Sequence, residues 1–263
     1  MTSALDRDAS LSERARAWRT AMLESVCDVI ESWAHGAIYR ATRYPSFFEY
    51  NIVRVQDRAP VSLEELLAIA DETLSGLSHR RIDFDHLENA APLRRELESR
   101  GWRPLRLLRL LHAGDSSPLG RATSHDVEEV PYDAVGALRV EWHQEDFPGD
   151  DPTAFHLMAR EVELHHGARV FVVFREAQPV AYAQLDRLGS RMEIGQVYVR
   201  PAYRGHGLGT AVTIAAIRAA AGANELWIGA DDEDRAKHLY ARLGFRPAGT
   251  TMEFLRMPRP GAT

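Results

Sequence analysis

Two tetrapeptides, Gly101-Trp102-Arg103-Pro104 and Gly244-Phe245-Arg246-Pro247, stand 143 residues apart in a chain of 263. Each follows a helical stretch and opens a β-rich one. Laying the chain on itself at that offset without gaps places Trp227 on Phe84, and the strand ending at Val199 on the strand ending at Gln56. Both blocks then read strand, helix, strand, helix, Gly-aromatic-Arg-Pro, strand. Read as a diverged internal repeat, with two unrelated α/β stretches as the alternative, this order points to two related α/β lobes. Between the blocks, Ala113 to Thr123 carries Gly114, Ser116, Ser117, Pro118 and Gly120 in linker composition. The expected division is residues 1–118 and 119–263.

Local patterns fill in the elements. Ser10 with Glu13 has capping-box spacing and predicts a helix running to about His35, apolar at Ala17, Met22, Val26, Val29 and Trp33. Ala37–Thr42 and Tyr50–Gln56 read as strands, and Ser62 with Glu65 caps a second helix to about Leu77. A short strand over Arg81–Asp85 and a helix over Pro92–Arg100, stopped by Gly101, complete the first block. The second block reads as a strand at Val127–Val130 and helices over Tyr132–Asp146 and Thr153–His166. Strands follow at Arg169–Arg175, Val180–Leu188 and Met192–Val199. A helix from Leu208 to Ala221, a strand at Glu225–Ala230, a helix over Asp234–Leu243 and a strand near Thr250–Met257 end the chain.

Composition narrows the function classes. A net charge of −6 argues against a nucleic-acid-binding surface, which draws on a basic excess. The single cysteine, Cys27, permits no internal disulfide and no thiolate metal cluster, and its apolar neighbours mark it as a buried, inert thiol. The polar N-terminus lacks the apolar core of a signal peptide, and no run of residues is long enough for a membrane helix, so a cytoplasmic protein is expected. Adjacent His165 and His166 point apart on a helix and make no metal pattern, so no metal is expected.

The chemistry concentrates between a β-branched strand and a long helix, in Val197-Tyr198-Val199-Arg200-Pro201-Ala202-Tyr203-Arg204-Gly205-His206-Gly207-Leu208-Gly209-Thr210. Glycines at alternate positions let the backbone approach a ligand, and amides at a helix N-terminus suit a pyrophosphate. A Walker loop fails because no lysine follows Gly209. A dinucleotide fingerprint places its third glycine where Thr210 stands and directly follows its strand, whereas Gly205 comes six residues after Val199. Asp231 at the end of the next strand keeps a nicotinamide reading open.

Arg204-x-x-Gly207-x-Gly209, preceded by Val-x-Val-x-Pro, is similar to the acetyl-CoA signature of the GNAT superfamily. Ala236-Lys237-His238-Leu239-Tyr240-Ala241-Arg242-Leu243-Gly244-Phe245 resembles that family's second signature, and Tyr240 lies 31 residues after Gly209. The resemblance covers roughly Ala122 to Met257 and, more faintly, the first block; the layout resembles two-lobed GNAT proteins. It implies a GNAT fold preceded by a degenerate GNAT-like lobe, and an N-acetyltransferase that moves an acetyl group from acetyl-CoA to an amine of a small molecule or peptide. It also implies that main-chain groups of Val197, Tyr198 and Val199 pair with the pantetheine arm. Amides across Arg204, Gly205, His206, Gly207, Leu208, Gly209 and Thr210 would hold the pyrophosphate.

The same resemblance makes Tyr240 the general acid for the departing thiolate, although the ring could equally pack on Phe245 or Leu239. Glu193 matches a position where some members carry a catalytic glutamate; a water chain and a plain strand carboxylate are the alternatives. Simple alternation puts Glu193 on one face with Gly195, Val197 and Val199, unless a bulge intervenes. Asp231 and Asp232 are secondary candidates, and Glu233 stands where the family often has Asn. The acidic, aromatic segment Glu141 to Asp151 would attract a cationic acceptor or simply solvate a helix end. In the first block the repeat offset sets Val61-Ser62-Leu63-Glu64-Glu65-Leu66 where the glycine loop stands and Leu97 where Tyr240 stands, so that lobe is expected to keep the fold without the chemistry. A non-catalytic acyl-CoA sensor is the rival function.

Overall fold

A computed structural model of the chain describes residues 4–114 and 125–257. The linker read at Ala113–Thr123 lies largely outside those residues. The chain divides into two units that are not contiguous in sequence. The first takes Met1–Arg109, Ala230–Asp234 and Ala248–Thr263; the second takes Leu110–Gly229 and Arg235–Pro247.

The first unit begins with helix α1 (Ala4–Glu24), hairpin strands β1 (Val29–Trp33) and β2 (Gly36–Arg40), and β3 (Ile52–Val55). It continues with α2 (Leu63–Thr73), β4 (Arg80–Phe84), short helices α3 (Leu87–Ala90) and α4 (Arg94–Ser99), and β5 (Arg103–His112). The helix predicted to reach His35 thus stops at Glu24 and starts before Ser10. Val29 and Ile30 pair instead with Arg40 and Tyr39 across a hairpin. β-branched residues beside a glycine turn favour that strand over continued helix. At Gly36 a Cβ would lie 2.2 Å from the Arg54 carbonyl, so only glycine fits the turn.

In the first unit the strand order runs β1-β2-β3-β4, then the end of the final strand, then β5. β3 and β4 are parallel neighbours joined by α2, with Val53 opposite Ile82 and Val55 opposite Phe84. Every residue of β3 is buried, as expected of a strand covered on both faces. The buried residues of α2, Leu63, Leu66 and Ala70, lie one helical face apart and pack with Val53, Val55, Ile82, Phe84 and Phe254. Truncating a side chain as enclosed as Leu66 would cost about 2–5 kcal/mol.

The second unit holds β6 (Glu128–Val130), α5 (Gly136–Asp146), α6 (Thr153–His165), β7 (Arg169–Arg175), β8 (Gln178–Leu188) and β9 (Arg191–Val199). There follow α7 (Leu208–Ala219), β10 (Glu225–Asp231), α8 (Ala236–Arg242) and β11 (Phe245–Arg256). β11 starts at Phe245, five residues before the sequence-based estimate. Its first residues stay in the second unit, while Met252–Arg256 pair antiparallel with β4 in the first. The strand order in the second unit is β10-β9-β8-β7-β6, and β9 and β10 are parallel neighbours joined by α7. The architecture is a mixed sheet flanked by helices, and β3-α2-β4-α4-β5 and β9-α7-β10-α8-β11 repeat one element order.

The gapless offset does not survive in the strand register. Paired residues are 29 apart across β3–β4 (53 to 82) and 34 apart across β9–β10 (191 to 225). Among the described residues no helix is long and apolar enough to cross a membrane. Cys27 is buried, its Sγ lies 3.2 Å from the Tyr50 carbonyl oxygen, and burial pushes the thiol up to about 12.

Candidate functional site

The site starts from a strand that loses one neighbour. β9 pairs with β10 only from Arg191 to Ile194, opposite Glu225 to Ile228. From Gly195 to Val199 it stays paired with β8 alone. The register slips between Gln184 and Leu185, which leaves Gly195 as a bulge. A Cβ at Gly195 would come 2.4 Å from Asp186 Oδ2, so any larger residue would have to displace the Asp186 carboxyl.

Antiparallel pairing decides which main-chain groups face the opening. The Arg200 amide donates to the Val180 carbonyl, so by alternation Tyr198 exchanges its hydrogen bonds with Tyr182 on β8. Val197 and Val199 are then the residues that turn their N–H and C=O groups toward the open edge. Of the three residues named from the sequence, two present backbone there, and Tyr198 reaches the site through its ring and hydroxyl.

Beyond Val199 the chain crosses an exposed stretch, Pro201 to Gly207, and enters α7. Gly205 and Gly207 both have φ of +81°, the left-handed region that favours glycine. Gly207 caps α7 without a side-chain bond, and the first amide with a backbone acceptor is Ala211, bonded to Gly207. Among the described residues nothing accepts from the amides of Gly205, His206, Gly207, Leu208, Gly209 or Thr210. The amides of Leu208, Gly209 and Thr210 lie in the first turn of α7, at the positive end of its dipole, where an anion is favoured. A Cβ at Gly209 would lie 3.5 Å from Val199 and 3.8 Å from Leu239, which places the start of α7, the end of β9 and α8 side by side.

Two arginines of the loop are held in place. Arg200 makes a two-pronged pair with Glu141 (2.6 and 2.8 Å), and an Arg204 nitrogen lies 2.7 Å from both Glu145 oxygens. The Arg204 Nε also donates to the Val199 carbonyl at 3.0 Å, and its guanidinium lies 5.7 Å from the Tyr198 ring centre. The Tyr198 hydroxyl donates to Glu145 at 3.2 Å. Glu141 and Glu145 are therefore spent as partners of the loop, and the acidic segment does not present them to an incoming cation. Asp150 pairs with His143 at 2.8 Å, and Asp151 caps α6 through the Thr153 amide. The matching four-residue spacings, 141 to 145 on a helix and 200 to 204 in the loop, were the sequence signal for these pairs.

Tyr240 is buried on α8, its ring edge-on to Phe245 with centroids 6.2 Å apart. Leu239, the residue before it, touches the ground beside Gly209. Glu193 is half-buried on β9, between Asp186 of β8 and Trp227 of β10, next to the last pair before the strands part. The bulge corrects its expected facing: Glu193 shares its side with Asp186, Gln184, Gln196 and Tyr198, not with Val197 and Val199. Asp232 pairs with Arg106 at 2.9 Å and Glu233 with Arg94 at 3.0 Å, so these carboxylates serve ion pairs of the first unit.

The face shared with Glu193 carries a buried polar row that sequence reading missed. Arg139, 4% exposed, donates to Gln196 at 3.0 Å, contacts Glu163 at 3.5 Å and lies 4.0 Å from the Tyr132 ring centre. Tyr182 donates to Gln196, and Tyr132 donates to Glu163. Burial, followed by the charge of Glu163, pushes the Asp186 carboxyl well above its usual range. No motif announces such a row. Among the described residues no group of His, Cys, Asp and Glu is arranged to hold a metal ion.

Comparison with known proteins places these features. Residues 137–245 match the family model described as Acetyltransferase (GNAT) family. A conserved protein of unknown function from Staphylococcus epidermidis ATCC 12228 superposes with a TM-score of 0.66 at 17% identity, over 89% of this chain and 95% of that one. A GCN5-related N-acetyltransferase from Kribbella flavida gives 0.57 at 18% identity, over 95% and 96%. A GCN5-related N-acetyltransferase-like protein from Streptococcus suis 89/1591 gives 0.57 at 17%, over 95% and 99%. At these identities the structural likeness speaks for the fold. No curated protein sequence matches the chain.

Proposed function

Since the chain carries a GNAT acetyltransferase domain at residues 137–245, we propose that its second lobe transfers an acetyl group from acetyl-CoA to the amine of a small molecule or peptide. The observation that carries this reading is the run of amides from Gly205 to Thr210 without acceptors among the described residues, beside a strand edge that β10 has left. In this proposal those amides take the pyrophosphate, with Arg204 fixing the loop through Glu145 and the Val199 carbonyl. The N–H and C=O groups of Val197 and Val199 take the pantetheine arm as a neighbouring strand would. The catalytic lobe draws on residues 119–263, and the lobe without the loop is built on residues 1–118, which residues 230–234 and 248–263 join, both in the cytoplasm.

The residues fit a direct transfer. The acceptor nitrogen attacks the thioester carbonyl, the C–N bond forms, the C–S bond breaks, and coenzyme A leaves as its thiol. Tyr240, next on α8 to Leu239 at Gly209, gives its proton to the departing sulfur. Glu193, directly across from Asp186, takes the proton from the amine, directly or through water. General acid help of this kind is typically worth about 10²–10⁴-fold.

The test is release of free thiol from acetyl-CoA across a panel of amines, with Tyr240→Phe as the partner variant. The reading expects turnover with at least one acceptor class and a loss of about 10²-fold in kcat in the variant at unchanged acetyl-CoA affinity. The packing of Tyr240 against Phe245 favours a second reading, an acyl-CoA sensor in which the ring is structural. Binding of acetyl-CoA without thiol release in the whole panel would select that one. Stabilisation by NAD(H) and not by coenzyme A would reject both.

A further inference from the structure

The first unit contains a cleft of about 670 Å³ that the transfer chemistry does not use. It lies against α1, the ends of β3 and β4, and residues 249–253 of β11. None of residues 61–66, which occupy the place of the glycine loop in the repeat, lines it. It is therefore no remnant of a cofactor loop, and its volume is that of a small-molecule site.

Its walls are charged, and most of the charge is already matched. Arg54 is fully buried and spends its guanidinium on both Asp85 oxygens (2.9 and 3.1 Å) and on Thr20 (2.7 Å). Asp83 accepts from Arg81 at 2.8 Å and from Arg19 at 3.2 Å, and Glu253 accepts from Arg81 at 2.7 Å. Arg58 donates to Glu88. Asp83, Asp85, Glu88 and Glu253 are thus occupied by arginines, and the further acid of the lining, Glu13, is exposed.

Donors are left over on α1. Arg19 Nε is buried and has no acceptor among the described residues. Among the same residues Arg16, three positions earlier on the same helical face and also lining the cleft, has no carboxylate partner for its guanidinium. Burial also pushes the Glu253 carboxyl up to about 7, so the floor holds less negative charge at neutral pH than its composition implies. Unmatched guanidinium nitrogens in a small, polar, half-enclosed cavity call for an anionic oxygen.

We propose that this cleft binds a small hydrophilic molecule through a carboxylate or phosphate group seated on Arg16 and Arg19. Both anions offer the same paired oxygens to a guanidinium fork, and direct binding separates the two sources. The assignment does not depend on the transfer activity of the second lobe.

The experiment is calorimetric titration of the full chain with inorganic phosphate and, separately, with succinate, at constant ionic strength set by chloride. Arg16→Gln is the partner variant, because it keeps a helix-forming side chain of similar length. The expected result is saturable binding of one or both probes that Arg16→Gln weakens by about tenfold or more, the loss of one charge-assisted hydrogen-bonding partner. The melting temperature of the unliganded variant should match that of the wild type, which separates lost binding from lost folding. Phosphate caught at the glycine loop is unaffected by a change at Arg16, so only the Arg16-dependent component belongs to the cleft. A response to phosphate alone or to succinate alone identifies the anion. Titrations of wild type and variant that coincide for both probes, or no saturable binding of either, would overturn the proposal.

Discussion

β3-α2-β4 and β9-α7-β10 are built to one plan and end in opposite states. In the first, parallel pairing continues to Val55 and Phe84, and the Asp85 amide extends it by bonding the Val55 carbonyl. In the second, pairing stops at Ile194 and Ile228. The pairing separation grows from 29 to 34 residues, and the five residues gained are as many as Gly195–Val199, the segment that β10 leaves uncovered. The helix starts differ in the same sense. Ser62 closes α2 by accepting from the Glu65 amide, and Glu64 and Glu65 occupy its first turn. Gly207 leaves α7 open. In the proposed reading the phosphate site depends on register and cap, and the shared fold supplies only the scaffold.

The two units also bury charge differently, and variants can test this. The first unit pairs buried Arg54 with Asp85. In the second, burial pushes the Asp186 carboxyl well above its usual range. The largest effect is expected from Arg54→Met, which strands a buried carboxylate. Chemical denaturation should show a loss of about 3–5 kcal/mol, and a loss below 1 kcal/mol would mean the pair is not the internal tie described.

Ser62→Ala should cost about 1 kcal/mol of stability by removing the cap, with acetyl-CoA affinity unchanged. A fall in that affinity would give the closed helix a part in cofactor binding and erase the contrast between the lobes. The smallest effect is expected from Asp186→Asn. The Asp186 carboxyl titrates above its usual 3.8, so the folded protein holds a proton that the unfolded chain releases. Stability from this group is fully present below about pH 4 and declines as pH rises toward the folded value. Asp186→Asn should flatten that decline and match the wild type in acid. An unchanged slope would show that other groups set it.

How much of this the sequence disclosed depends on the range of the forces involved. The glycine loop, the α8 signature and the Ser62 cap rest on local rules, and the elements appear within a few residues of where spacing puts them. The β1–β2 hairpin was missed because Val29 and Ile30 suit an apolar helix face as well as a strand; pairing with Arg40 and Tyr39 decides between them. The facing of Glu193 depended on a bulge at Gly195 set by the register with β8, which local alternation does not record. The raised titration of Asp186 and the arginine-lined cleft arise from burial by distant segments, which periodicity does not record. The last strand, β11, was read as part of the second block alone, because nothing in its residues marks the switch to pairing with β4.

The central claim is that one lobe takes acetyl-CoA at residues 204–210 and the other cannot. Calorimetric titration of the full chain with acetyl-CoA, in the wild type and in Gly207→Glu, tests it most directly. The variant gives the open helix the residue that the repeat offset sets at Glu64. The account predicts one equivalent bound by the wild type and affinity at least about 100-fold weaker in the variant, from like-charge repulsion and backbone strain at a positive φ. Two equivalents bound, or undiminished affinity in Gly207→Glu, would contradict it.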